Sequence, residues 1–83
     1  MSDLARNPKQ VGSLLRRARK QCGLSQTQLG ERAGLRQATI SQVETGNPSA
    51  TLETILALLA VLDLELRIVP RTKGAAVDIE DMF

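Results

Sequence analysis

The 83-residue chain contains no histidine and a single cysteine, Cys22. One cysteine cannot form an internal disulfide, which indicates a reducing, cytoplasmic compartment. Without histidine the chain lacks the ligand spacing of a zinc site, and it shows neither a nucleophile–base pair nor a glycine-rich phosphate loop. We therefore expect no enzymatic activity, no metal and no cofactor. Cys22 is predicted to be a small buried apolar residue, with a redox sensor or metal ligand as the alternative.

Aromatic residues and long apolar runs are also scarce. The only aromatic residue is Phe83. No apolar run is long enough to span a bilayer, and the polar character of residues 1–8 argues against a signal peptide. The length allows one small domain with a modest core, so association with a second chain would add useful stability. These features predict a cytoplasmic protein.

Positive charge is concentrated at the N-terminus, although the net charge is only +2. Residues 1–24 contain six basic side chains against Asp3 alone, and the remainder of the chain is mildly acidic. A basic segment suits a surface that faces phosphate, and Arg17 is the candidate phosphate contact within it. The same pattern is equally typical of an ordinary solvated helix face.

Periodicity and turn residues predict four helices and divide the chain into four parts. These are a flexible arm, a helical domain, a short strand and a flexible tail, over residues 1–9, 10–63, 64–70 and 71–83. Helix one is predicted from about Gln10 to Cys22, because apolar residues recur there along a single stripe. Gly23 ends it.

The stretch SQTQLGERAGLRQATISQVETG holds two short helical patterns joined by a glycine turn. The first begins with the capping box Ser25-x-x-Gln28. Gly34 then supplies the left-handed backbone from which a second helix can start at a steep angle. The second pattern has Ile40 and Val43 on its inner face, whereas its outer face is uncharged, with small and amide side chains. Amides suit base edges, so the stretch describes a helix-turn-helix that reads the DNA major groove.

This stretch resembles the helix-turn-helix of the phage-repressor-like Cro/C1, or XRE, family, and the resemblance spans about residues 10–63. The residues that match the family pattern are Gln26, Gly30, Gly34, Ile40, Glu44 and Gly46. One departure is Gly30, where the family usually has Ala, at a cost of about 1 kcal/mol in helix propensity. A second is that Leu35 and Arg36 precede the third helix, so its N-cap is predicted to be weak.

The resemblance also implies which side chains meet DNA. The base-contacting residues would be Arg36, Gln37, Ala38, Ser41 and Gln42. The phosphate-contacting residues would be Gln26, Thr39, Asn47 and Ser49, together with Arg17 of the basic segment. Gln26 lies at the N-terminus of helix two, where free N–H groups and the helix dipole favour an anion. Arg19 and Glu44 stand where the family often has a partly buried structural ion pair.

Helix four, predicted from about Thr51 to Leu62, is apolar nearly all round. One stripe is expected to pack on helix one, and it consists of Leu52, Ile55, Leu56 and Leu59. The second apolar face then needs a partner, most simply a copy of the chain. From Leu64 to Pro70 apolar and charged residues alternate as in a half-buried strand, and such a lone strand would pair with its copy. The predicted dimer contacts are Leu58, Val61, Leu62, Leu64, Leu66 and Ile68.

The expected fold is all-α, a phage-repressor-like four-helix helix-turn-helix domain whose short C-terminal β-strand pairs across a homodimer. This layout resembles HipB-type antitoxins, most closely through Gln37 to Ser41 and the junction of helix four with LELRI. That resemblance implies a dimer that represses its own operon from an inverted-repeat site in double-stranded DNA. It also implies that the dimer neutralises a HipA-like serine/threonine kinase toxin. Such a bacterial protein would be found in the nucleoid, at its operator.

The C-terminal tail and the wider function each leave alternatives open. Ile79, Met82 and Phe83 lie among acidic residues and are candidates for docking on the toxin, with an unstructured end as the alternative. The chain could also be a stand-alone phage-type or restriction-control regulator without a toxin partner. A third interpretation is a protein-interaction module whose helix-turn-helix no longer binds DNA. The amide-rich face of helix three and the basic helix one argue against it.

Overall fold

Four α-helices and their connections make up the described part of the chain, residues 4–71 of a computed structural model, which contains no strand. The helices are α1 (Pro8–Gln21), α2 (Gln26–Ala33), α3 (Gln37–Glu44) and α4 (Leu52–Val61). This confirms the all-α helix-turn-helix fold. Within the described residues, no helix combines the length and the hydropathy needed to cross a membrane.

Helix α1 begins two residues earlier than the sequence pattern predicts, at Pro8 rather than Gln10. The reason is local, because the Asn7 side chain accepts a hydrogen bond from the Gln10 backbone N–H at 2.8 Å, and proline suits the first helical position. At the other end Cys22 is the C-cap, and it is exposed. The prediction that Cys22 is buried is therefore wrong, since the residue lies just beyond the last turn of the apolar stripe.

The turn between α2 and α3 forms as predicted. Ser25 Oγ accepts from the Gln28 backbone N–H and Gln28 Oε1 accepts from the Ser25 N–H, which completes the capping box. Gly34 adopts φ of 73°, in the left-handed region. A Cβ on Gly30 would lie 2.6 Å from the Leu35 carbonyl oxygen, so only glycine fits here without a shift. The close approach of α2 to the start of α3 explains why glycine is tolerated inside α2.

A single core joins the four helices. Its buried apolar side chains are Leu15, Leu29, Ile40, Val43, Leu58 and Leu62. Helix α3 packs on both α1 and α2, and α4 packs on α2. Each fully buried leucine or isoleucine contributes roughly 1.5–3 kcal/mol relative to an exposed one. Because α3 is only eight residues long, it depends on these contacts and not on its own helix propensity.

The predicted orientation of α4 is wrong. Leu58 and Leu62 are 0% and 5% exposed and belong to the core, so they cannot serve as dimer contacts on the surface. Leu52 and Leu56, assigned to the inner stripe, are 63% and 44% exposed instead. Val61 is half-buried against the core. A helix with leucine nearly all round offers no polar face from which its inner side can be chosen, and α4 packs mainly on α2 rather than on α1 as expected.

After α4 the chain runs outward. Asp63 takes a left-handed backbone conformation with φ of 58°, and the Leu64 N–H donates to the Leu59 carbonyl at 2.8 Å. This closes the helix in the way a glycine usually does, and aspartate tolerates the conformation. Residues 64–70 are then exposed, with Ile68 at 96%. Pairing of this segment with its copy stays a prediction, and the predicted docking residues Ile79, Met82 and Phe83 lie outside the described residues.

Candidate nucleic-acid interface

The outer face of α3 is a surface without acidic side chains. Gln37, Ala38 and Gln42 are exposed and Ser41 is half-buried. An α-helix with its side chains is about 10–12 Å in diameter, which fits the B-DNA major groove of about 12 Å width. Three of these four side chains can donate or accept hydrogen bonds, and none carries a charge that would need a fixed counterion. The face is therefore suited to the mixed donor and acceptor edges of base pairs.

Arg36 stands at the N-terminus of this face as the N-cap of α3. Its side chain is exposed and makes no capping hydrogen bond, so the weak N-cap predicted from the sequence is confirmed. The first N–H groups of α3 form the positive end of the helix dipole, and no side chain of the N-cap residue accepts a hydrogen bond from them. The guanidinium adds a formal positive charge at the same end of the helix, where an approaching duplex would be negative.

Below this face lies a buried ion pair that joins α1 to the end of α3. Arg19 Nε donates to Glu44 Oε2 at 2.7 Å, and Arg19 Nη2 donates to Glu44 Oε1 at 3.1 Å. Arg19 Nη1 also donates to the Leu24 carbonyl at 2.7 Å. The two side chains are 9% and 2% exposed. The structure thus brings together the two residues that the sequence assigned to a structural pair, and the charge of Arg19 is not available to DNA.

The ion pair continues outward through two glutamine side chains. Gln26 Nε2 donates to Glu44 Oε1 at 3.1 Å. Gln37 Nε2 in turn donates to Gln26 Oε1 at 2.5 Å. A phosphate candidate and a base candidate are therefore held in direct contact with each other, and both are connected to the core. Sequence reasoning assigned roles to these residues separately and missed the contact, because only the fold brings Gln26 and Gln37 together.

Three of the predicted phosphate contacts, Thr39, Asn47 and Ser49, lie in a shallow cleft between α3 and the start of α4. The cleft is lined by Thr39, Gln42, Val43, Asn47, Ser49, Ala50, Thr51 and Thr54. Asn47 Oδ1 accepts hydrogen bonds from the Ser49 N–H and Oγ at 2.9 and 2.7 Å, which leaves the Asn47 amide N–H groups as the part that can donate. Thr51 and Thr54 were not predicted to be near DNA. Their hydroxyls bond to each other at 3.0 Å as part of the α4 cap.

The basic face of α1 is smaller than its charge count suggests. Arg16, Arg17 and Lys20 are exposed, whereas Arg19 is buried in its ion pair. Arg17 is not among the side chains that line the cleft. Its role as a phosphate contact therefore depends on how a duplex lies across α1.

Comparison with known proteins connects this geometry to one family. A family model described as helix-turn-helix matches residues 15–69. An uncharacterized HTH-type transcriptional regulator of Haemophilus influenzae is 46% identical over 59 residues, which are 70% of this chain and 60% of that protein. The chain thus spans less than two thirds of the length of that relative.

Two further similarities involve HipB. The antitoxin HipB of Escherichia coli K12 is 33% identical over 60 residues, which cover 72% of this chain and 68% of HipB. A chain in the solved HipA–HipB–O2–O3 complex superposes with a TM-score of 0.74 at 32% identity, covering 82% of this chain and 96% of that one. The similarity therefore includes the arrangement of the helices as well as the sequence.

The buried ion pair yields a stability prediction. Arg19→Ala is expected to lower the free energy of unfolding by about 3–5 kcal/mol, because it leaves the Glu44 carboxylate buried without its counterion. The control Arg16→Ala removes the same charge from the exposed side of α1 and should cost at most about 0.5 kcal/mol. Urea unfolding followed by circular dichroism measures both. The double change Arg19→Met with Glu44→Leu should recover most of the loss, and equal costs for Arg19→Ala and Arg16→Ala would contradict the assignment.

Proposed function

Because this chain belongs to the helix-turn-helix family of Cro/C1 (XRE) type, we propose that it is a sequence-specific transcriptional repressor that binds an inverted-repeat operator as a dimer. The observation that carries the proposal is the Gln37 side chain, exposed on an uncharged α3 face and held in place by Gln26. A fixed amide at the start of a groove-sized helix is suited to an adenine edge, which it can bond through two atoms. The bases would be read by Arg36, Gln37, Ala38, Ser41 and Gln42.

Phosphate contacts on either side of α3 would set its depth and register in the groove. Gln26 at the start of α2 retains one amide N–H beyond its bond to Glu44, and Thr39, Asn47 and Ser49 line the cleft at the other end. Arg17 on α1 would add a charged contact to a more distant phosphate. These contacts would strengthen binding to all sequences alike and make it depend on salt concentration.

We also propose that the chain acts as a homodimer through residues 64–69. Leu64, Leu66 and Ile68 are 41%, 57% and 96% exposed in the single chain, a large apolar exposure for an extended segment. Pairing two such segments would satisfy their backbone groups and cover their apolar side chains together. Leu52 and Leu56 on α4 are further exposed apolar side chains. A twofold axis would set the two α3 helices in successive major grooves, about 34 Å apart.

Similarity to HipB, including HipB in its complex with HipA, supports a third proposal, that the dimer is the antitoxin of a HipA-like kinase toxin. The similarity to an uncharacterized HTH-type regulator supports the alternative of a stand-alone regulator equally well at the level of DNA binding. Among the described residues no group of His, Cys, Asp and Glu could hold a metal ion. We propose that the protein is not an enzyme and that it would neutralise a toxin by holding it.

DNA binding is tested by a substitution on the outer face of α3. Gln37→Ala is expected to weaken binding to the operator by about 1–3 kcal/mol and to relax the base preference at one position in each half-site. Arg17→Ala should instead weaken binding to all sequences. It should also reduce by about one the slope of the logarithm of the binding constant against the logarithm of the salt concentration. Fluorescence anisotropy on operator variants at fixed salt measures both, with Gln21→Ala, an exposed glutamine on α1, as the control. Unchanged affinity and base preference in Gln37→Ala would show that this face does not read DNA.

Dimerisation is tested by sedimentation at micromolar concentration. The unmodified chain should sediment as a dimer, and Ile68→Lys should raise the dissociation constant at least about hundredfold, because two buried isoleucines are lost per dimer. The control Gln21→Lys adds the same charge to an exposed position on α1 and should leave the dimer intact. A monomeric unmodified chain under these conditions would refute the dimer.

The antitoxin role is tested with the product of any kinase-like gene adjacent to the gene for this chain. Calorimetric titration of the full chain should show a stoichiometric complex with that kinase. The Gln37→Ala variant should bind the kinase with unchanged affinity, because the outer face of α3 would contact DNA and not the kinase. If the full chain binds operator DNA but no neighbouring kinase, the stand-alone regulator is the correct interpretation.

A further inference from the structure

The buried carboxylate of Glu44 has a second bonding partner whose orientation it controls. Besides its two bonds from Arg19, Glu44 Oε1 accepts from Gln26 Nε2 at 3.1 Å. A carboxylate can only accept hydrogen bonds, whereas the amide of Gln26 has a donor end and an acceptor end. If that amide were reversed, its oxygen would face a carboxylate oxygen at the same separation, and the two would repel. Glu44 therefore fixes which end of the Gln26 amide faces outward.

The orientation of the Gln26 amide in turn determines that of the Gln37 amide on the outer face of α3. With its Nε2 turned to Glu44, Gln26 offers Oε1 to its outer neighbour, and Gln37 Nε2 donates to that oxygen at 2.5 Å. Gln37 is thereby left with one amide N–H and its own oxygen for DNA. In that order the pair matches adenine, whose N7 accepts and whose N6 amino group donates. Guanine presents two acceptors at the same positions and would meet the Gln37 oxygen unfavourably.

We propose that Glu44 is a positioning residue for base recognition, which sets the donor–acceptor order of Gln37 through Gln26 as well as pairing with Arg19. This rests on the proposed DNA-binding function. The substitution Glu44→Gln is nearly isosteric but replaces the carboxylate with a neutral amide, which can either donate or accept a hydrogen bond. The side-chain amide of Gln26, and with it that of Gln37, would then be free to reverse. Base discrimination at the position contacted by Gln37 would fall even though Glu44 does not touch DNA itself.

The test measures base preference at each half-site position for the full chain and its Glu44→Gln variant. We expect discrimination at the Gln37 position to fall about tenfold, with the other positions unchanged. Ile40→Val is the matched control, because Ile40 is a fully buried residue of the same helix, and its truncation weakens the core contacts of α3 without removing any hydrogen bond of the glutamines. It should leave every base preference as in the unmodified chain. A change at all positions, or the same change in Ile40→Val, would overturn the proposal.

A second variant keeps the test decisive if Glu44→Gln does not fold. Gln26→Met leaves the Arg19–Glu44 pair intact but breaks the connection to Gln37. It should lower affinity for all sites and also relax the preference at the Gln37 position, whereas retention of the full preference would overturn the proposal.

In the Gln37→Ala background, Glu44→Gln should have no further effect at that position. If Gln37→Ala itself changes no base preference, the proposed function fails; if Gln37→Ala changes the preference and Glu44→Gln does not, only this inference fails.

Discussion

The buried pair of Arg19 and Glu44 is the interaction on which this small domain depends. Two charges removed from water must satisfy each other closely, and here three guanidinium donors are used, two on Glu44 and one on the Leu24 carbonyl. The pair fastens the end of α3 to α1 and to the loop before α2. A hydrophobic pair could stabilise the same contact at least as well. An apolar pair, however, would offer the Gln26 amide no hydrogen-bond acceptor and so could not fix its orientation.

Local signals in the sequence were sufficient to predict α2, its turn and α3. The Ser25–Gln28 capping box, the left-handed Gly34 and the buried Ile40 and Val43 all depend on residues close together in the chain. The faces of α4 could not be predicted in this way. Apolar side chains lie nearly all round α4, so its inner face is decided by how α4 meets α2, a contact between distant parts of the chain.

Some features of the candidate site could likewise be predicted from the sequence, and others could not. The outer face of α3 could be recognised because uncharged amides are unusual on a helix that only contacts water. The ion pair could be anticipated from the family resemblance. The bond between Gln26 and Gln37, and the shared cleft that includes Thr51 and Thr54, could not. They arise from the angle between α2 and α3 and from the position of the loop before α4, which no local pattern encodes.

Helix α3 combines a weak start with a firmly anchored end. Its N-cap, Arg36, makes no side-chain cap, whereas Glu44 at its last turn is buried and bonded to α1. A Ser or Asp cap would add about 1 kcal/mol but would cover the N–H groups at the end of the helix that carries Gln37. With Arg36 instead, that end stays positive and open toward an anionic partner. The stability of α3 thus comes from its buried side and its C-terminal anchor, so the side chains on its outer face do not have to stabilise the helix.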